Sequence, residues 1–171
     1  MLIKSLIAGA MTLAVIGTAG QLFFPPKPVL LYNPSTSAKV GWYRLRPNEP
    51  VVLGSQVAAY APEWARPLAD ERGYLPYEYP LIKTVWAVHG DEVCYNASSV
   101  SVPKHPDIPV LGQDILGRDM PQKSGCIFLR ADEYLLLSPD VQSGFDSRYF
   151  GPVTIDNILG QVKYLGNKKT P

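Results

Sequence analysis

From Ser5 to Phe24 the chain carries no charged residue; Lys4 stands before the run and Pro25-Pro26 closes it. An uncharged stretch of this length is enough for a helix to cross a bilayer. Its small residues (Ala8, Gly9, Ala10, Ala14, Gly17, Ala19, Gly20) suit packing against another membrane helix, and Phe23-Phe24 suits an interfacial edge. Gly17 and Ala19 also fit the cleavage site of a signal peptide. The run stays apolar beyond them, which favours a retained anchor. Lys27 flanks the far end, so the positive-inside rule does not decide orientation. Either reading predicts residues 1–26 as an N-terminal membrane anchor or signal segment and residues 27–171 as an exported domain.

Beyond the anchor the pattern changes to short apolar stretches broken by proline and glycine. Pro28 to Tyr32, Val40 to Leu45 and Val51 to Tyr60 read as strands, the last two separated by the turn Arg46-Pro47-Asn48-Glu49-Pro50. Pro62 to Arg72 reads as a short amphipathic helix ended by Gly73. Leu81 to Val88 is the clearest strand, and its alternation predicts Leu81, Lys83, Val85 and Ala87 on one face. After the turn His89-Gly90-Asp91 a strand resumes at Glu92 to Tyr95. Asn96 to Ser124 reads as hairpins and a long excursion. Gly125 to Leu129 and Tyr134 to Ser138 form a hairpin, and Ile158 to Tyr164 is a closing strand before a frayed tail. The prediction is a mainly antiparallel β domain with one or two short helices.

Composition narrows the function classes. Sixteen Lys and Arg against 15 Asp and Glu give a net charge of +1, and there is no long basic run, so no nucleic-acid partner is expected. Seventeen prolines and 14 glycines are spread along the chain, which suits strands and turns over a helical bundle. Cys94 and Cys126 are two buried thiols if the domain stays in a reducing compartment, and a candidate disulfide if it is exported. His89, Asp91 and Cys94 lack a fourth metal ligand, so no metal site is predicted.

Two stretches carry candidate chemistry. Asn33-Pro34-Ser35-Thr36-Ser37 presents three hydroxyls on a turn that feeds the strand beginning at Val40. A serine there becomes a nucleophile only if a base takes its proton. Lys83, flanked by apolar residues on its own strand face, can supply that base, because burial disfavours the ammonium. Lys39 is a rival base with less apolar cover. A Ser-His-Asp reading would use His89 with Asp91 or Asp146, but the tight turn at His89 favours an exposed imidazole.

Three blocks in order resemble the signal peptidase I-like Ser-Lys serine peptidases, and among them the TraF type of conjugative transfer systems. They are Asn33 to Tyr43, Ile82-Lys83 through Gly90-Asp91, and Phe145-Asp146-Ser147-Arg148-Tyr149-Phe150-Gly151-Pro152-Val153. The resemblance spans roughly Val29 to Leu165. It implies Ser37 as nucleophile and Lys83 as general base, with the Ser35 hydroxyl and the Ser37 backbone N–H as oxyanion donors. It further implies an Asp146–Arg148 ion pair supporting the site wall, where a turn and a surface salt bridge are the plainer alternative, and Ser147 hydrogen-bonded to the lysine. Departures from the housekeeping members are Ala38 for methionine, Thr84 for arginine, and Ser138-Pro139-Asp140 for Gly-Asp-Asn. Lys39 and His89 stand where prolines are expected.

The expectation is therefore a signal peptidase I-type antiparallel β domain behind an N-terminal transmembrane helix. It would sit in the bacterial inner membrane with its catalytic domain in the periplasm. It would process a pilin precursor or other exported peptide, by cleavage or with cyclisation, beside other conjugation-system proteins and without a cofactor. The alternatives are a general signal peptidase and a non-catalytic β-domain component of a secretion channel.

Overall fold

The computed structural model describes residues 29–167, together with residues 7, 9–12, 14, 15 and 17, which are helical. Most of the expected anchor, including Lys4 and Phe23 to Pro26, lies outside the described residues, as do Lys27, Pro28 and the tail residues 168–171. Among the described residues no helix is long and apolar enough to cross a membrane.

Among the described residues, eleven strands build two antiparallel sheets. They are β1 Leu30–Asn33, β2 Gly41–Arg46, β3 Gln56–Ala59, β4 Leu81–Ala87, β5 Glu92–Tyr95, β6 Ser99–Ser101, β7 Ile108–Pro109, β8 Gly125–Phe128, β9 Glu133–Leu137, β10 Val153–Thr154 and β11 Ile158–Gly166. The larger sheet runs β1-β2-β11-β3-β4-β9-β10 and the smaller β7-β6-β5-β8. A 3-10 turn at Glu63–Ala65 leads into helix α1, Arg66–Glu71, and α2 is a single turn at Ser147–Phe150.

Two expectations change. The strand expected from Val51 is only Gln56–Ala59, because Val52 and Ser55 close a turn through the Ser55 N–H to Val52 carbonyl bond of 3.1 Å, with Gly54 at φ +82. The alternation of β4 also breaks near its end. Its pairing with β9 runs Thr84 to Leu137 and Val85 to Leu136, then shifts so that Ala87 meets Leu135. Trp86 is thus the extra residue of a bulge, and Ala87 packs on the opposite face from Val85. Leu81, Lys83 and Val85 keep the common face.

That face looks onto the main core of Val57, Val85, Leu136, Phe145, Tyr149 and Val153, covered by α1 and α2. The reverse face of β9, through Leu135 and Leu137, packs against Val93, Tyr95 and Val100 of the smaller sheet. Residues of β1, β2 and β11 form a third cluster around Tyr43, Leu45 and Val162. Strand β11 reaches both β2 and β3 by bending at Gly160, whose φ of +140 and 2.6 Å Cβ clearance to the Pro47 Cα leave no room for a side chain.

Strands β5 and β8 place Cys94 and Cys126 directly opposite one another, and the two form a disulfide with Cα atoms 4.0 Å apart. The bridge closes the excursion that holds β6 and β7, and Leu111, Gln113, Asp114, Ile115 and Met120 of that excursion line the cleft described next.

Candidate active site

Strand β1 ends at Asn33, a buried amide that shapes the hydroxyl loop after it. Its Nδ2 donates to the carbonyls of Ser35 (2.8 Å) and Lys39 (3.1 Å), and its Oδ1 accepts the Ser35 N–H at 3.2 Å. The far end of the loop is tied down by Tyr43, whose hydroxyl donates to the Lys39 carbonyl (2.8 Å), and by Tyr164, which donates to Val40 (3.0 Å). Within this frame the Ser35 hydroxyl donates to Ser37 Oγ at 3.1 Å and accepts the Ser37 N–H at 3.2 Å. The two expected oxyanion donors are therefore paired with each other, and an incoming oxyanion would have to take both.

Lys83 comes from the middle of β4 and is 2 % exposed. Its Nζ donates to Ser138 Oγ at 2.8 Å, the residue just past the end of β9. No carboxylate touches it among the described residues. Burial pushes its pKa down from 10.5 to about 8; the Asp146 carboxylate pulls it up and the Arg148 guanidinium pushes it down. The amine is thus held by a neutral hydroxyl and is far easier to deprotonate than an ordinary lysine.

Asp146 and Arg148 form a fully buried ion pair. Arg148 Nε donates to Oδ1 and Nη2 to Oδ2, both at 2.8 Å. The other guanidinium N–H groups donate to the carbonyls of Pro109, Val141, Gln142 and Gly144. Asp146 also caps α2 by accepting the Arg148 N–H (3.1 Å), and it accepts the Ser138 N–H at 2.9 Å. Every donor of the guanidinium is satisfied, which lets a charged group sit in the core. This is not the surface salt bridge of the plainer reading. Its bonds fold residues 138–146 into one wall of the site.

The expectation for Ser147 needs correction. Its Oγ accepts the Leu136 N–H at 3.0 Å, supporting β9, and it is Ser138 that bonds the lysine. Ser147 sits on the first turn of α2, where capping by Asp146 turns its side chain toward the β9 backbone. Ser138 and Asn33 are the site residues that sequence reasoning missed. Asn33 read only as a turn former. Ser138 read only as the end of a strand and as a departure from the housekeeping members, and nothing in that reading paired its strand with the lysine strand.

Two cavities meet between the hydroxyl loop and β4, and Ser37 and Lys83 line both. One, about 190 Å³, is walled largely by apolar side chains such as Leu75, Leu81, Met120 and Phe145. The other, about 310 Å³, is walled by Lys39, Gln56, Thr84, Ser138 and Asp140 among others. No hydrogen bond joins Ser37 to Lys83 among the described residues. Lys39, the rival base, is exposed, with its Nζ 5.8 Å from the centre of the Tyr164 ring. His89 and Asp91 are elsewhere: the imidazole Nδ1 lies 3.2 Å from the Leu129 carbonyl, and the Asp91 carboxylate accepts the Val88 N–H at 2.9 Å. Neither lines the two cavities.

A loop of hydroxyls and a buried amine thus line the same two cavities, and comparison with known proteins covers most of the chain. The sequence profile of the signal peptidase family, peptidase S26, matches residues 2–165. The chain belongs to this family. It is 34% identical over 170 residues to a probable conjugal transfer protein TraF of Sinorhizobium fredii, covering 92% of this chain and 87% of that protein. It is 33% identical over 142 residues to the plasmid transfer protein TraF of Escherichia coli, covering 77% of this chain and 79% of that one. Within this S26 member, the Ser138-Pro139-Asp140 departure supplies the lysine's hydrogen-bond partner.

Proposed function

We propose that the protein is a membrane-anchored serine endopeptidase of the TraF type that uses Ser37 and Lys83 to process an exported precursor. The precursor we favour is a conjugative pilin, cut at the periplasmic face of the bacterial inner membrane. The similarity to two transfer proteins supports the conjugative setting. The single observation that carries the catalytic reading is Lys83: a buried amine, unpaired with any carboxylate among the described residues, on the wall of the same cavities as Ser37.

The chemistry follows from these groups. Neutral Lys83 takes the Ser37 proton as Oγ attacks the substrate carbonyl, forming a C–O bond and an oxyanion. The Ser37 N–H and the Ser35 hydroxyl turn from each other to that oxygen. Collapse breaks the C–N bond, and the Lys83 ammonium gives its proton to the departing nitrogen. The acyl-serine is then attacked by water, with Lys83 again taking the proton and returning it to Ser37 Oγ. If the amino terminus of the substrate attacks instead of water, the product is cyclic. Ser138 holds one N–H of the amine, which leaves its lone pair for Ser37.

The test is mass spectrometry of the cognate pilin precursor co-expressed with the wild-type protein, Ser37→Ala or Lys83→Ala. Both variants are expected to lose processing by about a thousandfold or more while remaining folded, and the product mass separates linear from cyclic pilin. Normal maturation with Ser37→Ala contradicts the proposal.

A further inference from the structure

The two cavities that meet at Ser37 and Lys83 differ in more than polarity: each holds a different half of the reaction's machinery. Ser35, the side-chain donor for the oxyanion, lines the apolar cavity and not the polar one. Ser138, which accepts the Lys83 N–H, lines the polar cavity and not the apolar one. The amine is thus drawn toward the polar side. A leaving nitrogen has to collect its proton from Lys83, so it must lie where Nζ points. The acyl half of the substrate then occupies the apolar cavity, and the half after the scissile bond enters the polar one.

The polar cavity has charged groups at its rim. Asp140 is exposed and has no ion-pair or hydrogen-bond partner for its carboxylate among the described residues. Lys39, the cation on the same cavity, extends over the Tyr164 ring. An unengaged carboxylate beside the exit path of an amine favours a positive charge there and repels a negative one.

Resting on the peptidase reading above, we propose that this cavity is the binding site for the residue following the scissile bond, and that Asp140 gives it a preference for a basic residue. The same passage admits the second nucleophile. Attack on the acyl-serine retraces the path by which the amine left, so water or a substrate amino group arrives from the Asp140 side, where Lys83 can take its proton. Asp140 is a specificity residue here and makes no covalent bond.

The experiment uses the full-length protein in detergent with a peptide mixture derived from a bacterial proteome, and reads cleavage sites by mass spectrometry. Cuts absent with Ser37→Ala define the background. Among Ser37-dependent cuts, Lys and Arg after the bond are expected about three- to fivefold above Asp and Glu, the size an exposed ion pair supports. Cuts before uncharged residues serve as the internal reference. Asp140→Asn should level this preference, and Asp140→Lys should reverse it. The same charge profile in wild type and Asp140→Lys overturns the proposal. Cleavage that is indifferent to Ser37 overturns the peptidase reading itself, and this inference with it.

Discussion

Lys83 and Arg148 are two cations buried to nearly the same degree, 2 % and 1 % exposed, on either side of Ser138, and they meet opposite fates. Arg148 cannot shed its proton, so its burial demands a carboxylate and four backbone carbonyls to satisfy it. Lys83 can shed its proton, and among the described residues its amine is given a single hydroxyl. The guanidinium becomes a structural hub, while the amine is left free to act as the base proposed above. Ser138 separates the two: its N–H binds Asp146 and its hydroxyl binds Lys83. The pair also acts on the lysine from a distance with opposing signs, Asp146 raising and Arg148 lowering its pKa. Engaged by Arg148, Asp146 does not hold Lys83 as an ammonium, and burial decides.

The largest way to break this contrast is to remove one partner of the pair. Arg148→Met leaves Asp146 buried and unopposed, and should cost about 3–5 kcal/mol in chemical denaturation. In the protein that stays folded, the free carboxylate should move the pH–activity limb above the position near 8 expected for wild type. Asp146→Asn should move it below. Limbs unchanged in both variants would show that the pair does not reach the lysine.

Next in size is the cost of burying the lysine. Lys83→Met should stabilise the fold by roughly 2–3 kcal/mol at pH 7, because a lowered pKa measures how poorly the folded state tolerates the charge. Between pH 8 and about 10.5 the unfolded chain holds a proton that the folded chain has released, so wild-type stability rises with pH there. The gap between variant and wild type should therefore close across that window and be constant below it. A variant that is less stable than wild type at pH 7 would argue against an unpaired buried amine.

Smaller still is the effect of Ser138→Ala, which keeps the Asp146 bond to the backbone and removes only the hydroxyl. Turnover should fall about tenfold through loss of aim. The limb should shift to lower pH, since the ammonium loses an acceptor, and Ser138→Thr should restore much of both. A purely structural serine would lower stability without moving the limb.

Much of this site was legible in one sequence because its first parts are local. A hydroxyl turn and a strand with apolar neighbours around Lys83 can be read from spacing alone. The order of short strands and turns likewise pointed to an antiparallel β domain. The lysine's partner could not be read that way. It depends on Thr84 facing Leu137, a pairing across more than fifty residues that places Ser138 rather than Ser147 beside Nζ. The four carbonyls around Arg148 come from a loop without periodicity and from Pro109 at the end of β7, so no pattern announced a buried hub. The bulge at Trp86 defeated strict alternation for the same reason, since it exists only in the pairing with β9.

The most direct measurement is the titration of Lys83 itself. In the full-length protein labelled at the lysine ε position and held in detergent micelles, the Lys83 signal, assigned by its loss in Lys83→Met, would be followed by NMR from pH 6 to pH 11. The account predicts a midpoint at about 8, well below the exposed lysines, and a processing rate that rises with pH along the same curve. A midpoint near 10.5, shared with the surface lysines, would contradict it: Lys83 would be an ammonium at working pH and could not take the proton from Ser37.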